Sequence, residues 1–297
     1  MQRVLITGAN GRLGRRLIRT LANDRAVSAV VRSARAAAAL EAHVGTSAST
    51  VVVDYADEDA LARAIGHGDS IVHLVGIIKE SASSTYHAAH EAAASTLASA
   101  AARAGAARIV AVSILGAQPA DPNACLRSRG RADEILIRGA VPATVLRVPM
   151  VLGEGDHAST SLAAAARRRI AFSLRAASRE QPIYAGDVVA AIVAALEHRN
   201  ALGIVNLAGP ESLTRRELVR RAAGRCGRSP RVVSLPLSLG LVYAALLEAL
   251  LEDPPITRAM LGVLDRDNAI DPVPTAHALG IDLTPLDETL ERVLVSA

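Results

Sequence analysis

Residues 3–14 read Arg3-Val4-Leu5-Ile6-Thr7-Gly8-Ala9-Asn10-Gly11-Arg12-Leu13-Gly14, and this stretch with its sequel decides the fold. A short apolar run is followed by glycines at i, i+3 and i+6. Leu13, Leu17, Ile18 and Leu21 then recur at helical spacing, and a second apolar run, Val27 to Val31, ends in Arg32. The pattern predicts strand, turn, helix, strand. Gly8 permits the sharp turn off the strand, Gly11 lets backbone N–H groups approach an anion, and Gly14 lets the helix pack closely on the strand. The helix N-terminus adds unpaired N–H groups and the positive end of its dipole. Such a unit holds the pyrophosphate of a dinucleotide, and its place between a strand and a helix sets it apart from an ordinary glycine-rich turn.

Arg32 bears on which dinucleotide. NAD binders place an acid near the end of the second strand, where it accepts hydrogen bonds from ribose hydroxyls. No Asp or Glu lies between Val27 and Leu40; Arg32 stands in that place and Arg35 follows. Guanidinium groups suit a 2′-phosphate through paired, charge-assisted hydrogen bonds. The expectation is NADP(H) in preference to NAD(H).

The rest of the chain continues the alternation. Strands are expected at Thr50–Val53, Ser70–Leu74, Arg108–Val112 and Ala143–Val148. Helices are expected at Ala34–His43, after a capping Asp57, over Thr85–Ala104 and over Leu126–Arg138. This is an α/β, doubly wound, Rossmann-type parallel sheet, with ligands at the carboxyl ends of its strands. Beyond Pro149 helices dominate. They are read at Ser161–Arg169, Asp187–His198, Thr214–Cys226 with a capping box, Leu237–Leu251, Ile256–Leu264 and Leu286–Val295. Strands are read at Ile204–Leu207 and Arg231–Leu235. The reading is a nucleotide-binding domain over 1–150 and a smaller, mostly helical substrate or partner lobe over 151–297, with chain returning to the main sheet.

Composition excludes several classes. The 297 residues suffice for a full core, but with one Phe, no Trp and 2% aromatics that core is Leu, Val, Ile and Ala. Arginine clusters give a net charge of +4, yet single-strand nucleic-acid readers need aromatic platforms that are missing here, so no nucleic-acid partner is expected. Two cysteines, no secretory pattern and no apolar run of spanning length point to a cytoplasmic protein without a transmembrane segment; no metal is expected. The apolar stretch Leu237–Leu251 is expected to pack within the C-terminal lobe, with a protein or membrane surface as the alternative it would face.

These motifs make the chain similar to the extended and atypical branches of the short-chain dehydrogenase/reductase superfamily. The resemblance rests on Thr7 to Gly14, Asp54 after the third strand, Leu74-Val75-Gly76 after the fourth, Val110 to Ala117, and Arg147-Val148-Pro149. Within that superfamily the chain most resembles the nucleotide-binding accessory subunit of respiratory complex I and its bacterial relatives. Leu74–Ile77, Gln181–Val188, Leu207–Leu213, Asp253–Thr257 and Asp267-Asn268 carry that likeness. The resemblance implies that Gly8, Asn10, Gly11, Arg12, Leu13, Gly14, Arg32, Arg35, Asp54, Tyr55, Leu74, Val75, Gly76, Ser113, Arg129 and Pro149 surround the cofactor. It also implies a catalytic Ser, Tyr and Lys, the Lys four residues after the Tyr. Ser113 is present, but Cys125 stands for the Tyr and Arg129 for the Lys, and no Tyr-x-x-x-Lys occurs anywhere.

Two functions follow. In the first, an NADP(H)-dependent oxidoreductase acts on a small or medium organic substrate; Ser113 polarises the acceptor and Cys125, Lys79 or Tyr86 handles protons. Lys79 is the only lysine, and Tyr86 and His90 share a helix face. For Cys125 the plainer alternative is a small buried apolar residue, and for Tyr86 and His90 a solvated helix end. In the second, bound NADP(H) stabilises a protein without turnover whose C-terminal lobe docks on a protein partner.

Overall fold

The computed structural model describes residues 3–81 and 83–295. In the first half, strands β1 (Val4–Thr7), β2 (Val27–Val31), β3 (Ser49–Val52), β4 (Ser70–His73), β5 (Arg108–Ile114) and β6 (Ala143–Val148) alternate with helices. The helices are α1 (Arg12–Leu21), α2 (Ala34–Val44), α3 (Glu58–Ala64), α4 (Ala93–Ala104) and α5 (Ala124–Arg138). The second half runs β7 (Val151–Leu152), α6 (His157–Ala166), β8 (Ile170–Leu174), β9 (Arg179–Glu180), β10 (Ile183–Tyr184), α7 (Ala185–Glu197), β11 (Gly203–Asn206) and β12 (Leu213–Thr214). It ends with α8 (Arg215–Arg225), β13 (Arg231–Leu235), α9 (Leu237–Leu250), α10 (Arg258–Leu264), α11 (Val273–Leu279) and α12 (Leu286–Val295).

The chain divides into two compact units. The first holds the chain up to Glu80, Ser84–Arg147 and Val189–Val205. Its seven-stranded sheet has the order β11-β6-β5-β4-β1-β2-β3, the Rossmann order with one added strand. The pairs β3–β2, β2–β1, β1–β4 and β4–β5 are parallel, and Val4 lies level with both Val27 and Ser70. β1, β2 and β4 are buried along their whole length, as strands covered on both faces must be. One core layer packs Leu5, Ile71, Ile109 and Val145 against Leu97, Ala100, Ala101, Ala132 and Leu136. Alanine lets α4 and α5 lie close to the sheet without large aromatic side chains.

Helix starts follow their capping residues. Ser33 accepts from Ala36 N at 3.2 Å, Asp57 from Ala60 N at 2.8 Å, and Asn123 from Cys125 N and Leu126 N. α1 differs: Gly11 occupies its N-cap position and supplies no side-chain cap. The run expected as one helix over Thr85–Ala104 begins instead with a π-helical turn, His87–Ala92, before α4. Such wide turns concentrate at functional sites.

The second unit contains Ser81–Ser83, Val148–Val188 and the chain from Asn206 onward. Its core gathers Leu152, Leu162, Ala171, Leu218, Val219, Val232, Leu290 and Val293. β8 and β13 form a parallel pair that the sequence reading half-missed, since β8 had no strand assigned to it. α8 starts on the expected capping box of Thr214 and Glu217. α9 packs inward by one face only: Ala244 is buried and Gly240 meets Leu174 and Leu261, while Leu239, Val242, Tyr243, Leu246 and Leu250 are exposed. Among the described residues no helix is long and apolar enough to cross a membrane.

Candidate functional site

The glycine cradle comes first. Gly8 has φ +71°, and a Cβ there would lie 2.9 Å from the Leu74 carbonyl carbon. At Gly14 a Cβ would meet the Ala9 carbonyl oxygen at 2.5 Å, so α1 presses onto the turn as only glycine allows. Gly11 N–H donates to Gly8 O at 3.1 Å and closes the turn. α1 has no capping side chain, and the N-terminus of such a helix suits an anionic ligand. Asn10, Gly11 and Arg12 are exposed and Leu13 is half-buried, so the turn offers mainly backbone.

Arg32 and Arg35 follow β2 directly and are exposed. Arg32 lies close enough to Tyr55 to favour its phenolate, although burial, the larger effect, pushes the Tyr55 pKa up. The Tyr55 hydroxyl is spent inside the protein: it accepts from Gly8 N–H at 2.8 Å and donates to Val30 O at 3.0 Å. Tyr55 therefore braces the glycine turn from below. Asp54, exposed, caps its own turn by accepting from Ala56 N–H at 3.0 Å. Pro149 follows β6 and falls in the second unit.

The remaining candidates converge on one loop, Val75 to Glu80, which leaves the end of β4. Arg129 Nη1 donates to Val75 O at 3.0 Å. Its guanidinium covers Gly76 so closely that a Cβ there would stand 1.7 Å from Nη2. Cys125 Sγ faces Ile77 O at 3.7 Å, and His90 Nε2 lies 3.0 Å from Ile77 O and 3.1 Å from Ile77 N. Tyr86 donates from its hydroxyl to Ile78 O at 2.6 Å, while its own N–H donates to Glu80 Oε1 at 2.6 Å. Ser128 Oγ donates to Tyr86 O at 3.0 Å. Lys79 sits half-buried in this same loop.

This arrangement revises two expectations. Tyr86 and His90 are not a solvated helix end: both are buried, and their rings stack with centroids 5.7 Å apart. The Cys125 thiol is fully buried, and its pKa is pushed up to about 11 because burial outweighs the favourable charge of Arg129. A thiol so placed is a poor proton donor at neutral pH, and the Tyr86 hydroxyl is already committed to a carbonyl. The alternative of a buried apolar cysteine fits the geometry better.

Two buried polar atoms among these residues have no hydrogen-bond partner, Arg129 Nε and His90 Nδ1; Ser113 Oγ is also buried, with the Asp133 carboxyl as its polar neighbour. Whichever ring nitrogen of His90 carries the proton, only Nε2 reaches Ile77, so Nδ1 is left unpaired. Burial, with the Arg129 charge behind it, lowers the His90 pKa to about 3. His73, buried at the end of β4, is likewise held near 3 and joins Thr7 Oγ1 through Nδ1 at 2.8 Å. Asp133 and Arg147 complete the group with a buried pair, Arg147 Nε donating to Oδ2 at 2.7 Å. Burial raises the Asp133 pKa against the opposing pull of Ser113, Arg147 and Arg129. The sequence reading missed His73 and Asp133. Asp133 was visible as the residue four after Arg129 on the same helix face; His73 carried only its position at the end of an apolar run.

Fold, uncapped helix and cradle define a dinucleotide-binding α/β protein, and unpaired buried donors are groups that a ligand would satisfy. Comparison with known proteins narrows the class. A family model described as NAD(P)H-binding matches residues 8–199. The ceramide reductase of Caulobacter vibrioides is 31% identical over 250 residues, covering 83% of this chain and 77% of that protein. The mitochondrial NADH dehydrogenase (ubiquinone) 1 alpha subcomplex subunit 9 of Arabidopsis thaliana is 28% identical over 197 residues, 65% of this chain and 49% of that protein. The chain thus spans about half the length of the plant subunit. In fold it is similar to the NADPH-dependent quinone oxidoreductase QOR2 of Escherichia coli, with a TM-score of 0.72 at 21% identity over 97% of this chain and 98% of that one. The chain belongs to the NAD(P)H-binding family, as an atypical short-chain dehydrogenase/reductase-like protein.

Proposed function

We propose that this protein is an NADP(H)-dependent reductase of a carbonyl-containing organic substrate of the ceramide type, working without the usual tyrosine and lysine. The observation that carries the reading is the buried, unpartnered Arg129 Nε beside the loop after β4. A protein that needed this side chain for packing alone would have little reason to leave it unsatisfied, since such a group costs about 1–3 kcal/mol. The 31% identity to a ceramide reductase supports the substrate class.

The backbone of the α1 N-terminus (Gly11, Arg12, Leu13) would hold the pyrophosphate, with Arg32 and Arg35 at the 2′-phosphate. Leu74, Val75 and Gly76 would line the ring side, and Arg129 would hold the ribose. The cofactor supplies hydride when bound. Ser113 Oγ polarises the acceptor carbonyl by donating a hydrogen bond to its oxygen. Arg129 stays charged, holding the sugar where the family's lysine would. Cys125, Tyr86 and His90 set the loop in place, and Lys79 and Glu80 are the groups in that loop able to exchange a proton. Free Cys125 and Cys226 support a reducing, cytoplasmic setting.

Fluorescence titration of the purified protein with NADPH and NADH, followed by an NADPH-oxidation assay with keto-ceramide analogues, tests the reading. Arg32→Asp is expected to weaken NADPH roughly ten- to hundredfold, the loss of about 1.5–3 kcal/mol of charge-assisted bonding, and to spare NADH. Ser113→Ala is expected to lower turnover and leave NADPH binding intact. NADPH that copurifies, does not exchange and is not oxidised by any analogue would instead favour a second reading, a structural cofactor in a protein that assembles with a partner through its C-terminal unit. The sealed Cys125 and Tyr86 are the observation on that side.

A further inference from the structure

The outer surface of the second unit is apolar where a folded domain is ordinarily polar. On α9, Leu239, Val242, Tyr243, Leu246 and Leu250 recur at i, i+3, i+4, i+7 and i+11, so they share one face. Val242 and Leu250 are each 70% exposed. The surface does not stop at the helix. In the β8–β13 pair, Ala171 and Val232 point inward, and their neighbours Ile170, Phe172, Arg231 and Val233 point outward; Phe172 is 60% exposed. Leu174, at the end of β8, touches α9 at Gly240, where a Cβ would lie 3.1 Å from its methyl carbons. Strand pair and helix therefore adjoin at Leu174 and Gly240, and both carry exposed apolar side chains, of a kind that marks an interaction surface.

The charge around this face selects its occupant. Arg168 and Arg169 lead into β8, and Arg228 and Arg231 lead into β13; Arg231 N–H donates to Arg169 O at 2.9 Å, which brings the two segments together. All four arginines are exposed, and no carboxylate pairs with them among the described residues. Glu252 and Asp253 follow the far end of the stripe, and Glu248 is taken up by Arg258. Apolar side chains flanked by excess unpaired arginine, with Tyr243 and Phe172 exposed among them, complement a bilayer whose headgroups are anionic.

We propose that the face formed by α9 and the β8–β13 pair docks this protein on the surface of an anionic lipid bilayer, with the α9 stripe entering the headgroup boundary and the four arginines meeting lipid phosphates. The inference stands on the surface alone and does not need the reductase reading.

The test is co-sedimentation of the full chain with vesicles of phosphatidylcholine, with and without phosphatidylglycerol. Binding is expected only to the anionic vesicles and is expected to weaken with salt. Val242→Asp with Leu246→Asp, at exposed positions, is expected to abolish it while circular dichroism stays native. Each of Arg168→Ala and Arg231→Ala is expected to lower partitioning about fivefold. Light scattering and NADPH titration of the same variants accompany the assay. Absence of vesicle binding overturns the proposal, as does a dimer that the Val242 and Leu246 substitutions dissociate; a second copy could set these arginines against Glu252 and Asp253. Vesicle binding by a protein that oxidises no NADPH leaves the docking face standing and removes only the reductase reading.

Discussion

At Gly76 the absence of a side chain is what lets Arg129 lie flat on the backbone and reach Val75 O. Alanine there would put a carbon 1.7 Å from Nη2, so the guanidinium must leave. Gly76→Ala is therefore expected to weaken NADPH about tenfold, or about 1.4 kcal/mol, in a fluorescence titration, while circular dichroism stays native. Retained affinity would show that Arg129 does not hold the cofactor. The glycine is legible in the sequence as part of Leu74-Val75-Gly76. Its physical reason is not, because the arginine that demands it is 53 positions further on in the chain.

At the scale of elements, the site depends on how α5 meets β6. Asp133 on α5 and Arg147 on β6 form a pair whose side chains are 4% and 14% exposed. Removing the cation would leave a buried carboxylate without its counter-charge, which costs about 3–5 kcal/mol. Arg147→Met is expected to lower the unfolding free energy from a urea titration by that amount, seen as a lower midpoint, and Asp133→Asn in the same chain is expected to recover most of it. An unchanged midpoint in the single variant would show that water reaches the carboxylate. The π-helical turn His87–Ala92 belongs to this scale as well. It turns Tyr86 and His90 onto the loop after β4, where a regular helix was the natural reading of an alanine-rich run.

For the whole molecule the buried histidines govern the acid side of the stability curve. Burial, aided by the Arg129 charge, holds both His73 and His90 near pKa 3 in the folded protein. An unfolded histidine titrates near 6.5. Below that pH the unfolded chain takes up protons that the folded chain refuses, so stability is full above about pH 6.5 and falls as pH drops toward 3. Each histidine is expected to cost about 2 kcal/mol at pH 5. Urea titrations at pH 7.5 and pH 5 measure this, and His73→Asn with His90→Gln is expected to flatten the difference. A double variant with the parent's full acid sensitivity would place its source elsewhere.

The sequence by itself determined the nucleotide-binding half: glycine spacing, apolar runs and capping residues are local signals, and each element there answers to its own few residues. It also showed that no Tyr-x-x-x-Lys occurs anywhere in the chain. Only the tertiary structure decided what Cys125 and Arg129 touch. Whether Cys125 is a proton donor or a sealed thiol depends on burial by residues far away in the chain, and burial outweighed its neighbouring arginine. The same holds for α9. A uniformly apolar helix carries no periodic signal to say which side faces inward, and the packing of Gly240 on Leu174 and Leu261 left its leucine stripe facing out.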